Sequence, residues 1–481
     1  MSPRLRPYQA RDLDRIADAF NGGALRVCYQ APTGSGKTVL FADLIKVVAD
    51  HGERVLVLGH RDEIVQQISA SLDDLAVDHG IIAPDYTETN DLVQVASVMT
   101  AVRRLHRLRP PKLLVIDEAH HAVAATWQRI IGALPDSDIL GVTATPRRLD
   151  GKPLDDIFEE LIVGPSIGRL IDDGYLAPAT VFTPPHSPDL SQVRIRAGDY
   201  ALDQLSNVMS RGIIINSAVD EFARLCPDAP AIAFCVDIAH SKLVAEAFAK
   251  RGYRAAHLDG NTPRQQRRNL IAALGSGDID LLSNCGLISE GLDVPDIVAA
   301  ILLRPTKSLA LYLQMVGRAL RPAKSKDLAF ILDHAGNVYR HGLPTARRRW
   351  SLHGKQQQHG ETNNLMRCPQ CGAMNERGAE YCEHCGPVLH HPRAPRIEVA
   401  GRPLVKAVEA PADDADLKAI GYRAALEWAA DGNGHLVHDR LQRIASVRGY
   451  KPGWAYYNTG KHWQEVWNQA MRWREQQLSK V

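Results

Sequence analysis

A glycine-rich turn ending in Lys-Thr, set between an apolar run and an apolar helix, restricts this chain more than any other feature. Ala31-Pro32-Thr33-Gly34-Ser35-Gly36-Lys37-Thr38 follows Leu25-Arg26-Val27-Cys28-Tyr29-Gln30 and fits G-x-x-x-x-G-K-[ST], with Ala31 in place of the first glycine. Glycines there let backbone N–H groups turn inward and surround phosphate oxygens at a helix N-terminus. Thr33, Gly34, Ser35 and Gly36 would form the cradle. Lys37 would neutralise the β- and γ-phosphates, and the Thr38 hydroxyl would ligate Mg²⁺. The strand–loop–helix order is that of a parallel α/β sheet.

A second apolar run, Leu113-Leu114-Val115-Ile116, ends in Asp117-Glu118-Ala119-His120. An acidic pair at the C-terminal end of a parallel strand lies where such sheets bind ligands. Asp117 is placed to hold Mg²⁺ through its water shell, and Glu118 to orient and deprotonate an attacking water. With the phosphate loop, the pair predicts hydrolysis of a nucleoside triphosphate.

The 481 residues correspond to about three domains at roughly 150 residues each. With 45% hydrophobic and 23% charged residues, a wholly disordered chain or a small disulfide-stapled scaffold is excluded. Lys and Arg exceed Asp and Glu by 57 − 55 = +2, so no global charge excess announces a nucleic-acid partner. No apolar run reaches the ~18–20 residues of a membrane span, and the basic N-terminus lacks a signal core. The expectation is a cytoplasmic protein without membrane contact, whose cysteines are thiols or metal ligands. Cys28, Cys226, Cys235 and Cys285 read as core thiols.

Near-continuous β-branched runs alternate with helical stretches over residues 24–145, at Arg54–Leu58, Leu92–Ala96 and Lys112–Ile116. The grammar restarts at Ala231–Cys235, Ala255–Leu258, Ile279–Ser283 and Val298–Leu303. Two tandem parallel sheets covered on both faces are predicted.

Three further motifs appear in order: Asp117-Glu118-Ala119-His120, Thr143-Ala144-Thr145-Pro146, and Gln314-Met315-Val316-Gly317-Arg318-Ala319-Leu320-Arg321. On these, and on the phosphate loop, the chain resembles a superfamily-two helicase of the DEAD/DEAH kind over roughly residues 5–335. The resemblance implies two RecA-like lobes that hydrolyse ATP to move on, or separate, nucleic-acid strands. Lobe 1 would span 1–165, a connector 166–210 and lobe 2 211–345.

The resemblance also implies residue roles. Arg6 and Gln9 of Arg6-Pro7-Tyr8-Gln9 would meet the nucleotide, Gln9 offering the adenine edge a donor and an acceptor. Gln314, Arg318 and Arg321 would join Lys37, Asp117 and Glu118 in catalysis. The two arginines, three apart, would project from one helix face and reach the γ-phosphate when the lobes close. Gly291 and Asp293 of Gly291-Leu292-Asp293-Val294-Pro295 would contact ribose. Thr143 and Thr145 would couple nucleotide state to closure. Gly59-His60-Arg61 with Glu63 and Gln67, Ala96-Ser97-Val98, and Asp259-Gly260-Asn261-Thr262 would touch the strand backbone.

After a linker (346–366), Cys368-Pro369-Gln370-Cys371 and Cys382-Glu383-His384-Cys385 form C-x₂-C-x₁₀-C-x₂-C over 367–387. Four thiolates at this spacing predict a closed, structural Zn²⁺ ribbon that folds with its metal, with His384 a surface residue. A motor with a ribbon behind it is similar to the bacterial RadD-type DNA-repair helicases or a phage relative, as are Leu303–Ser308 and Leu332–Asn337. That likeness implies DNA rather than RNA, and repair, recombination or single-strand-binding proteins as partners. An RNA helicase, or an ATP-gated clamp without processive unwinding, is the alternative.

Arg347-Arg348-Arg349-Trp350 reads as solvated linker, followed beyond the ribbon by a Pro/Ala-rich linker (388–412). A small helical domain (413–481) carries Trp428, Trp454, Trp463, Trp467 and Trp473. Residues 432–481 hold eight Lys or Arg against three Asp or Glu. Rings interleaved with basic charge suit single strands, whereas Trp463 and Trp467 at i and i+4 suit a core; both readings stand.

Overall fold

The computed structural model describes residues 5–146, 153–184, 187–286, 297–323, 326–353, 365–368, 370–376, 379–386 and 435–449. The chain divides into two compact units, Met1–His391 and Pro392–Val481. In the second unit the described residues form a helix, His435–Arg448. The tryptophans assigned to that region, together with Gly291 and Asp293, lie outside the described residues.

The first unit holds two parallel sheets. Sheet one contains β1 (Arg26–Gln30), β2 (Val55–Gly59), β3 (His79–Ile82), β4 (Val93–Ser97), β5 (Leu113–Asp117), β6 (Asp138–Thr143) and β7 (Glu160–Val163). Their spatial order is β3-β4-β2-β5-β6-β1-β7. Sheet two contains β8 (Ala179–Phe182), β11 (Ala231–Phe234), β12 (Ala255–Leu258), β13 (Leu281–Asn284), β14 (Ala299–Leu302) and β15 (Ala329–Asp333), in the order β12-β13-β11-β14-β15-β8. A short hairpin, β9 (Ile195–Arg196) and β10 (Asp199–Tyr200), lies between β8 and β11 in the chain.

Strand period explains the double coverage. Along β1 and β2, Val27, Tyr29, Val55 and Val57 enter the core on one face. Cys28, Leu56 and Leu58 enter the core on the other. Residues that alternate between two apolar layers read as unbroken hydrophobic runs. The same division holds in sheet two, where Ile232 and Phe234 face one core and Ala231 and Ala233 the other. Cys28, Cys226 and Cys235 are buried thiols, as the sequence suggests, and Cys285 is half-buried.

The structure departs from the sequence reading in three places. The segment read as a connector supplies β8, which pairs with β15 at the edge of sheet two. Its apolar run is only four residues long, which weakens its sequence signature.

The basic stretch after lobe 2 is not a solvated linker. The Arg348 guanidinium donates to the carbonyls of His341, Leu343, Pro344 and Ala346. Trp350 packs on the core of lobe 2. Leu352 then enters the lobe 1 core beside Trp127 and Phe158, and its carbonyl accepts from Leu154 N at 2.7 Å. His353 Nδ1 lies 2.7 Å from Asp155 Oδ2. Residues 343–353 therefore strap lobe 2 back onto lobe 1, because one leucine gains more from burial than from an extended linker.

The third departure is the cysteine module. Its hairpin, β16 (Leu365–Arg367) and β17 (Met374–Glu376), docks on lobe 2. Ala373 bridges Phe182, and Arg367 Nε donates to Thr183 O at 3.2 Å. Cys368, Ala373 and Cys382 join the lobe 2 core. His384 is half-buried rather than fully exposed; its ring meets Phe182 edge-on at 5.1 Å. A module too small to bury its own core borrows one.

Candidate active site

The phosphate loop joins the end of β1 to the helix Lys37–Asp50, and β1 is flanked by β6 and β7 in the sheet. Gly34 (φ 84°) and Gly36 (φ 76°) hold the left-handed backbone that lets successive N–H groups converge. A methyl on Gly36 would lie 2.6 Å from Gln9 Nε2, and one on Gly34 would lie 3.0 Å from Leu176 Cδ2. Ser35 Oγ is buried in the loop without a hydrogen-bond partner. Such an orphaned hydroxyl beside converging N–H groups fits a phosphate oxygen.

Lys37 Nζ donates to the carbonyls of Ala31 (3.1 Å) and Pro32 (3.3 Å). Burial makes the ammonium easier to deprotonate, while the charges of Glu118 and Asp117 oppose that effect. Asp117 ends β5, and burial, then the charge of Glu118, pushes its carboxyl up to about 6. A cation at this spot would favour the charged form of Asp117. Thr38 on the loop helix and Asp117 are the residues that would hold Mg²⁺.

Glu118 sits at φ 53°, a left-handed conformation that a non-glycine residue rarely takes. Strained positions of this kind cluster at functional sites. Glu118 Oε2 lies 3.3 Å from His120 Nδ1, which lies 3.2 Å from Thr143 Oγ1. Thr143 Oγ1 accepts from Thr145 N at 3.2 Å. The acidic pair and the Thr-Ala-Thr turn thus meet at the His120 ring.

Lobe 2 completes the cleft. Gln314 Nε2 donates to Glu118 Oε1 at 3.4 Å. A Cβ at Gly317 would fall 2.6 Å from Thr33 Cβ, and Arg321 Cγ is 3.7 Å from the Cβ position of Gly34. Arg318 is buried on the same helix, Leu309–Ala319. Arg321 lies beyond that helix, whose C-cap is Leu320. The two arginines therefore do not share a helix face; the chain turns so that both still border the phosphate loop. Gly317→Ala is expected to hold the lobes apart and lower turnover at least tenfold with the fold intact. ATPase rate and melting temperature together check this.

Gln9 has a different setting from the one its motif suggests. Its Nε2 donates to Ser35 O (3.2 Å) and Gly36 O (3.0 Å), and its Oε1 accepts from Arg6 N (2.8 Å). Tyr8 Oη also donates to Ser35 O. Gln9 here braces the phosphate loop, and Arg6 lies over the Tyr175 ring, 4.7 Å from its centroid. Tyr175 and Leu176, which border this site, carry no local sequence signal and enter it only through folding.

Of the residues expected to touch a nucleic-acid strand, Gly59, Ser97 and Asp259 lie at the C-terminal ends of β2, β4 and β12, and Glu63 and Gln67 lie on the helix Asp62–Asp74. Asp62 and Glu63 meet Arg264 and Arg267 of lobe 2. Glu63 thus bridges the lobes instead of facing a strand. Asp259 Oδ1 accepts from the Asn261 and Thr262 N–H groups and shapes its own turn.

In the ribbon, Cys368 and Cys385 sulfurs are 3.7 Å apart, as are those of Cys371 and Cys382. All four lie within 4.8 Å of one another. Tetrahedral Zn–S bonds of about 2.3 Å put sulfurs about 3.8 Å apart, so the set fits zinc. Asn375 Nδ2 approaches Cys382 Sγ at 3.7 Å, an outer-layer donor to a thiolate.

Comparison with known proteins agrees with this architecture. Residues 2–148 match the family of type III restriction enzyme res subunits, and 215–323 the helicase conserved C-terminal domain. Residues 365–387 match a domain of unknown function, DUF7577. A 51.5 kDa protein of a Lactococcus phage is 36% identical over 361 residues, covering 74% of this chain and 77% of its own. The chain belongs to the superfamily-two helicases. A Saccharomyces cerevisiae protein named as an ATP-dependent helicase, IRC3, is 32% identical over 357 residues, 70% of this chain. The helicase chain spans about half of that yeast protein, 52% of its length. A fragment of an HsdR type I restriction subunit from Vibrio vulnificus shares the fold, with TM-score 0.57 and 20% identity over 71% of this chain and 67% of its own. Among the described residues, no helix is long and apolar enough to cross a membrane.

Proposed function

We propose that this helicase hydrolyses ATP in the cleft between its lobes to translocate on, or remodel, branched or single-stranded DNA. The observation that carries the reading is the composite site, in which Gln314 reaches Glu118 and Arg321 borders Gly34. Neither lobe holds all of these groups, so hydrolysis and lobe closure are one event.

In the proposed cycle the phosphates lie in the Thr33–Gly36 cradle, and Lys37 exchanges its loop carbonyls for β- and γ-oxygens. Bound Mg²⁺ supplies charge neutralisation on the phosphate oxygens. Glu118 orients a water and takes its proton as the water oxygen bonds to the γ-phosphorus and the bond to ADP breaks. Arg318 and Arg321 offset charge on the transferring group. Gly59–Arg61, Ser97 and Asp259–Thr262 would grip the strand backbone, unequally in open and closed lobes. DNA is supported over RNA by relatives' names. A Halobacterium salinarum protein named as a DNA 3'-5' helicase is 29% identical, and an RNA helicase, SrmB of Haemophilus influenzae, is 22% identical.

Steady-state ATPase rates with no nucleic acid, single-stranded DNA, forked DNA and matched RNA test the proposal. Selective stimulation by DNA is expected, about tenfold or more, with strand displacement on forks. Stimulation by RNA alone would replace it with an RNA helicase. DNA-stimulated turnover without displacement or movement would leave an ATP-gated clamp.

The ribbon is proposed to hold one structural Zn²⁺ through Cys368, Cys371, Cys382 and Cys385. Replacing Cys382 and Cys385 together by Ser is expected to release it and uncover the β8 edge. Elemental analysis should then find little zinc, and unchanged zinc would remove the four-thiolate assignment.

A further inference from the structure

Arg321 stands just outside its helix. Two hydrogen bonds flank its peptide. The preceding carbonyl, Leu320 O, accepts from Ala177 N at 2.8 Å. The Arg321 carbonyl itself accepts from Lys326 Nζ at 2.7 Å. The same ammonium donates to Ile297 O at 2.6 Å. Lys326 is only 7% exposed, and Ile297 is fully buried at the foot of β14.

A lysine seldom occupies such a place, because a buried ammonium must be matched by acceptors. Here it is matched by backbone oxygens from two segments, Ile297 O and Arg321 O. One leads into β14 of the central sheet; the other carries Arg321. A helix C-terminus gathers partial negative charge, which an ammonium offsets. An apolar side chain of equal length would fill the space but remove both of these hydrogen bonds and loosen the Arg321 turn. Arg321 already packs against the phosphate loop, 3.7 Å from the Cβ position of Gly34. A shift of about 1 Å in a group aimed at a reacting phosphate lowers rate on the order of 100-fold.

We propose that Lys326 is a positioning residue that pins the Arg321 turn to the sheet of lobe 2 and so sets the reach of Arg321 into the ATP site. The proposal rests on the reading of Arg321 as a phosphate-facing arginine.

A double-mutant cycle in the full chain tests it, using Arg321→Ala, Lys326→Met and the pair. The readouts are kcat and KM for ATP with saturating single-stranded DNA, a fluorescent ATP analogue's affinity, and melting temperature. Arg321→Ala is expected to lower kcat about 100-fold or more. Lys326→Met is expected to lower kcat about 10- to 100-fold, with KM and analogue affinity within about threefold. In the Arg321→Ala background, Lys326→Met should change kcat by less than about threefold, since the group it positions is gone.

Equal fold-losses in both backgrounds, or a native kcat in Lys326→Met, would overturn the proposal while leaving Arg321 in its role. A native kcat in Arg321→Ala would instead remove the underlying reading, and the proposal with it. If the methionine variant does not fold, Lys326→Gln, which keeps a donor for one carbonyl, carries the same cycle. Non-additivity is expected there too, and additivity overturns.

Discussion

Lys37→Ala is expected to abolish ATP turnover, with phosphate release falling at least 100-fold. Lys37 is the ammonium of the phosphate loop, and Nζ lies within hydrogen-bond reach of two loop carbonyls. It can move to phosphate oxygens by side-chain rotation alone. Alanine removes the charge while leaving the helix Lys37–Asp50 a good first residue. The glycine-built loop does not depend on the side chain, so the fold should persist. Near-normal turnover in this variant, measured by phosphate release with DNA present, would overturn the site assignment.

Glu118→Gln is expected to separate binding from chemistry. The amide keeps the size of the carboxylate, tolerates the same left-handed backbone about equally well, and still accepts from Gln314 through its oxygen. It cannot accept the proton of the attacking water. Removal of a general base lowers rate by about 10²- to 10⁴-fold. ATP should bind with nearly native affinity, and the closed lobes should keep their grip on DNA for longer. Fluorescence anisotropy of labelled single-stranded DNA with ATP, beside the ATPase rate, checks both halves. Turnover within tenfold of native would remove Glu118 from the role of base.

These two residues were legible in the sequence because their chemistry is local. A phosphate cradle needs contiguous glycines, a lysine and a hydroxyl at a helix start, so Gly34–Thr38 announces itself wherever it occurs. Asp117-Glu118 is readable for the same reason, as the end of an apolar strand. The parallel sheets followed from runs such as Val55–Leu58 and Ala299–Leu302, in which both faces of each strand are apolar. Cysteine spacing identified four thiols that fold to within 4.8 Å of one another.

Other features were illegible because their causes lie far apart in the chain. Arg321 looked like a helix-face partner of Arg318, since spacing alone cannot show that the helix stops at Ala319. Arg348 and Trp350 looked like a solvated charge run. Arg348 folds back on carbonyls no more than seven residues away, but the core on which Trp350 packs exists only once lobe 2 is formed. His384 looked exposed until β8 and β15 brought Phe182 and Phe330 under the ribbon.

A phosphate loop, an acidic pair, a late arginine motif and a four-thiol cluster can each be read along the chain. Each is a short-range pattern whose function requires neighbouring residues. How those parts come together in one cleft depends on contacts made in three dimensions. Gln314 on Glu118, Gly317 against Thr33, Lys326 on Ile297 and Leu352 in the lobe 1 core are set by packing between distant segments. Such contacts obey shape and burial rather than spacing, and so leave no local mark.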